Sequence, residues 1–107
     1  MVPASYYVGL SAVLFVIGVL GVLVRRDPLV IFMSIEIMLN AANINLVAFS
    51  SYHTALHGFP PDASGQVFAL FSIAIAAAEV AVGLAIILSV YRRYQTIDVD
   101  KINILRW

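Results

Sequence analysis

Two carboxylates stand where a carboxylate is costly. Glu36 lies inside LVIFMSIEIMLNAANINLVAF, residues 29–49, and Glu79 inside VFALFSIAIAAAEVAVGLAIIL, residues 67–88. Both stretches are long and apolar enough to cross a bilayer. An ionised side chain at the centre of such a span costs about 2.5–3.5 kcal/mol even on lenient insertion scales. Acids retained there normally face a bundle interior and handle protons. A carboxyl group's proton affinity rises on desolvation and falls beside a cation, so a site whose surroundings change can load and unload a proton. The competing reading is a purely structural hydrogen bond between helices. It suits an Asn or a Gln better than two glutamates on separate helices. Asn40 and Asn43 follow Glu36 at i+4 and i+7, about 40° and 20° from its direction on a helix. This Glu–Asn–Asn stripe predicts a face turned to protein or water. Ser72, Ala76 and Gly83 lie near Glu79 at −7, −3 and +4, a small-residue face that admits another helix closely.

The elements that position these residues follow from composition. Of 107 residues, 63% are hydrophobic and 11% charged, and the mean hydropathy is +1.00. Soluble domains sit near half apolar and a quarter charged. The chain reads as an all-α integral membrane protein, one domain over 1–107, with the lipid bilayer as its solvent. Three spans are predicted, at about 6–24, 29–52 and 66–91, followed by a tail over 92–107. The net charge is zero, which gives no field for nucleic acid. The chain has no cysteine, which removes thiolate metal sites and iron–sulfur ligation. No cleavable signal is expected, because the first apolar run lacks a basic n-region.

Arg25-Arg26-Asp27-Pro28 reads as a tight turn in which Asp27 caps the next helix and Pro28 opens it. Ser11, Gly18 and Gly21 give the first span a small-residue surface. The segment SYHTALHGFPPDASG, residues 51–65, reads as the second connection, stopped by Pro60-Pro61. His53 and His57 in or beside it form an HxxxH pair. Only Asp62 is near enough in sequence to complete a ligand set, so solvated loop histidines are expected and no metal site. No phosphate cradle or nucleophile–base set is present, so no catalytic or cofactor-binding residue is expected. Glu79, about 13 or 14 residues from either end of its span, should lie near the midplane, with Glu36 somewhat nearer the basic side. The tail alternates apolar and charged residues too briefly to choose between strand, arm and interfacial segment.

SIEIMLNAANINLVAF, AIAAAEVAVGLAI and the closing INILRW resemble the small K subunit of respiratory complex I, the proton-pumping NADH:quinone oxidoreductase, and its photosynthetic ferredoxin-linked relatives. The likeness covers nearly the whole chain apart from the His- and Pro-containing connection. It implies a subunit of the membrane arm beside the J, A, H and antiporter-like N subunits. It also implies that Glu36 and Glu79 belong to the central hydrophilic axis carrying protons, with Arg25 and Arg26 in support. Flavin, iron–sulfur clusters and quinone are implied in other subunits, so the enzyme is the assembly. The alternatives are the C subunit of a multisubunit sodium/proton antiporter and a structural assembly subunit. The membrane expected is a bacterial plasma membrane, or a thylakoid or other energy-transducing one. The sequence leaves open the electron donor, the quinone and which glutamate matters more.

All six basic residues, Arg25, Arg26, Arg92, Arg93, Lys101 and Arg106, fall on one side of a three-span chain. The charge rule then puts the N-terminus outside and the C-terminus inside. A Trp107→Cys variant in sealed vesicles should react with an impermeant thiol reagent only from the inner face; labelling from outside overturns this topology.

Overall fold

In the computed structural model, which describes residues 2–58 and 60–95, the chain forms three helices, α1 (Ala4–Val24), α2 (Pro28–His57) and α3 (Ser64–Tyr94). All three are long and apolar enough to cross a membrane. Each extends beyond its predicted span. The largest difference is at α2, which runs through Tyr52 to His57, so His53 and His57 stand on helix and not in the connection. The segment SYHTALH is too polar for hydrocarbon, but nothing in it stops a helix. The break comes at Gly58, whose φ of 73° is the left-handed region that glycine adopts without a Cβ penalty. The tail beyond residue 95 lies outside the described residues.

The first turn follows the sequence. Asp27 Oδ1 accepts the Leu29 N–H at 2.8 Å, and Pro28 takes the first helical position, where a missing N–H costs nothing. At the far end of α3, Arg92 and Arg93 occupy the last turn, where positive charge complements the helix dipole.

α2 is the shared element: it packs against both α1 and α3, which hardly meet each other. The buried set consists of small residues, among them Ala41, Ala48, Ala69, Ala76, Ser11, Ser34 and Ser50, while Leu20, Phe68 and Leu70 point outward. This inside-out distribution suits hydrocarbon, where helices associate through close backbone approach and polar contacts. A methyl group on Gly18 would strike Met38 and the Ser34 carbonyl, one on Gly21 the Ser34 side chain, and one on Gly65 the Leu46 carbonyl and Ser50. At Gly83 it would strike the Phe32 ring. A hydrogen bond adds to the α1–α2 contact: Ser11 Oγ donates to Asn45 Oδ1 at 2.9 Å.

The obstacle at Gly65 is backbone, which cannot rotate aside. Gly65→Ala should therefore destabilise the α2–α3 pair by about 1–3 kcal/mol. Gly9→Ala, with nothing within 4 Å of the added methyl, should be neutral. Detergent-induced separation of fluorescent labels on α2 and α3 measures both.

Candidate functional site

Register decides where the two glutamates meet. Gly65 packs on Leu46 and Ser50, and Gly83 on Phe32. Residue numbers across the antiparallel pair thus sum to about 111–115 at both ends. Glu36 and Glu79 sum to 115 and lie level to within about one turn, roughly 6 Å along the axis at most. This corrects the expectation that Glu36 sits nearer the basic end. Counting residues from a turn assumes equal helix starts, and α3 runs on past Tyr91 to Tyr94.

The two acids occupy opposite flanks of that pair. At about 100° per residue, Glu36, Asn40, Asn43, Val47 and Ser51 fall within about 80° of one another on α2. That sector lies between its α1-facing line (Ser34, Met38, Ala41, Asn45) and its α3-facing line (Phe32, Leu46, Ser50). On α3, Gly65, Ala69, Ala76 and Gly83 form the α2-facing line. Glu79 stands about 40° beyond Gly65 and Gly83, some 120° round from Ile73. Ala76 and Gly83 thus serve the helix contact within the chain, and Glu79 is exposed at its edge. Glu36 is half-buried.

Because α1 and α3 stay apart, a groove of about 850 Å³ opens over the Glu36 side of α2, lined by Tyr7 and Leu10 of α1, Asn40 and Asn43 of α2 and Ile73 of α3. Asn40 is exposed to it, whereas Asn43 is buried at 8% exposure. Asn43 Oδ1 has no hydrogen-bond partner among the described residues. Such a buried, unmet acceptor costs about 1–3 kcal/mol. Glu36, Asn40 and Asn43 are thus brought to one side, and Glu79 is not among them. Arg25 and Arg26 lie in the α1–α2 connection, both exposed, about 14 Å along the axis from Glu36. The Arg25 N–H donates to the Gly21 carbonyl at 3.2 Å.

Sequence reasoning passed over Asn45. Its signal was a lone polar residue, Ser11, deep in α1, which needs a partner across the interface. It also passed over the polar knot at the other end of α2. There the Asp62 N–H donates to Thr54 Oγ1 at 2.8 Å, and the Ser50 hydroxyl meets the Asp62 carbonyl and Gln66 Oε1 at 2.8 Å. Among the described residues no three His, Cys, Asp or Glu side chains converge to hold a metal ion.

Fold and site together define an all-helical membrane-spanning chain with acids at one depth of two adjacent helices. Residues 6–107 match the family of NADH-ubiquinone/plastoquinone oxidoreductase chain 4L. The chain is 52% identical over 106 residues to NADH-quinone oxidoreductase subunit K of Roseiflexus castenholzii, covering 99% of each. It is 56% identical over 100 residues to subunit K of Flavobacterium johnsoniae, covering 94% of this chain and 88% of the other. It is also 56% identical over 101 residues to NAD(P)H-quinone oxidoreductase subunit 4L of the Paulinella chromatophora chromatophore, covering 94% and 93%. The chain belongs to the NADH-quinone oxidoreductase chain 4L (subunit K) family, as the resemblance implied.

Asp62, in the α2–α3 connection, is held below its usual pKa of 3.8, first by the Ser64 hydroxyl and N–H and then by His53; burial opposes this only in part. A depressed carboxyl pKa contributes stability that is full above the unfolded value and lost as pH falls through the folded one. Protection of the first α3 amides from hydrogen exchange, corrected for intrinsic rates, should therefore be constant above about pH 5 and fall below pH 4. In Asp62→Asn, whose amide oxygen still accepts from Ser64 but does not titrate, this fall below pH 4 should be absent.

Proposed function

We propose that this chain passes protons sideways through the membrane arm of its complex, with Glu36 and Glu79 as the two stations. Family membership makes it a membrane subunit of an NADH-quinone oxidoreductase. The observation that carries the proton reading is the placement of two intramembrane acids at one level on opposite flanks of the α2–α3 pair. A carboxylate on each flank can exchange with a different neighbour. A transverse channel would instead need acids stacked at different depths. Neither glutamate has a cationic partner within the spans of its own chain, so such partners come from other subunits.

The neighbours fitting this role are the J, A, H and antiporter-like N subunits, and the membrane is a bacterial plasma membrane or a thylakoid-like one. Asn40 and Asn43 extend the polar side that Glu36 begins. Arg25 and Arg26 bias the path through their field, since poorly screened surroundings carry charge effects over such a distance. Redox chemistry, with flavin, iron–sulfur clusters and quinone, belongs to other subunits.

Glu36→Gln keeps shape and hydrogen bonding while removing the titratable proton. The complex should assemble normally on native gels, while proton uptake into vesicles and the coupled quinone reduction both fall by about 100-fold, the low end for losing a proton-transfer group. Glu79→Gln should act in the same direction. Normal assembly with unchanged pumping in Glu36→Gln would end the relay reading, and loss of assembly in both variants would favour a structural role.

A further inference from the structure

The groove over the Glu36 side of α2 has a shape that the proton path does not account for. On α2 it is lined from Asn40 to Ala55, a length of about 22 Å along the helix. Its lining includes the buried Ala48 and Ala69, and beside them Leu10 of α1 and Ile73 of α3, 52% and 51% exposed. Small residues between two apolar ridges admit the side chains of another helix. A helix of that length and 10–12 Å across fills roughly 2,000 Å³. The groove offers about 850 Å³, so it takes one face of a helix and not the whole.

Asn43 lines that groove at 8% exposure, and its Oδ1 lacks a hydrogen-bond partner among the described residues. It stands about 14 Å along the helix from Tyr52, whose exposed ring suits the membrane interface. Lipid cannot meet the oxygen at that depth, because acyl tails carry no donor and headgroups stay at the surface. A buried water needs two to four polar partners. On α2, Asn40 is the one other polar groove residue within a turn of Asn43, which leaves a water at the bottom of that range. A donor on a protein side chain answers both the oxygen and the hollow around it.

We propose that the groove docks one transmembrane helix of another subunit, which carries a hydroxyl or amide side chain level with Asn43 and donates from it to Asn43 Oδ1. Membership of the subunit K family implies other subunits in the same complex. The inference rests on that membership and not on the proton path, so Glu36→Gln can pump normally while the groove is still occupied. Ser, Thr, Asn or Gln suits the position. Each donates to the oxygen and can accept from the Asn43 N–H as well, and each costs less at this depth than Lys or Arg.

The test is photo-crosslinking in the assembled complex, with p-benzoylphenylalanine in place of Leu10 or Val47 and Asn43 left intact. Irradiation should join the chain to a second, different polypeptide. The peptide recovered by mass spectrometry should come from an apolar helix with a Ser, Thr, Asn or Gln within about a turn of the joined residue. A product carrying only a lipid, or one made of two copies of this chain, overturns the docking. Asn43→Leu should lower retention of the chain in detergent-washed complex by about 3–20-fold, the range for a hydrogen bond between membrane helices. The same variant in phosphatidylcholine nanodiscs, as the full chain alone, should unfold no more readily than the unaltered chain, since the lost oxygen had no partner there. Unchanged retention, or a less stable isolated chain, overturns the hydrogen bond given to Asn43.

Discussion

Helices in hydrocarbon gain little from the hydrophobic effect when they associate, because lipid tails are as apolar as leucine. What holds this chain together is closeness. On one side of α2, Gly18 and Gly21 let α1 approach Ser34 and Met38; on the other, Gly65 and Gly83 let α3 approach Leu46, Ser50 and Phe32. Both contacts use α2, and α1 and α3 hardly touch. The positions of both glutamates follow from the second contact. Phe32 and Gly83 pack one turn from Glu36 and Glu79, fixing their common level and the flank each faces.

Much of this was legible in the residues. Three runs of apolar sequence, Asp27-Pro28 as a helix start and a pair of intramembrane acids follow from composition and elementary helix physics. Helix length was less legible, because hydropathy reports what lipid tolerates and not where a helix stops. Tyr52 to His57 leave the hydrocarbon but remain helical until Gly58. Flank and level were not legible at all. They depend on which residues of α3 meet which residues of α2, and a glycine gives no sign of its partner until the facing backbone is in place. The small residues around Glu79 were correctly seen as a contact surface. That the contact is with α2 of the same chain, leaving the acid on its edge, required the register.

Polar groups divide by their place along α2. In mid-helix they are single and costly: the Ser11–Asn45 bond pins α1, while the Asn43 oxygen has no partner among the described residues. At the α2–α3 end, Ser50, Thr54, Asp62, Ser64 and Gln66 satisfy one another in a compact knot. A short connection without regular structure is thereby tied to both helices, as the backbone groups of a turn next to a membrane require.

The groove between α1 and α3 also bears on the life of the chain before it joins its complex. A copy newly released into the bilayer carries a hollow that lipid tails fill only with apolar contacts, beside an amide oxygen that no hydrocarbon can satisfy. The hollow thus sets one side of the helix trio apart, where the bilayer meets Asn40 and Asn43 among the apolar side chains instead of an unbroken apolar wall.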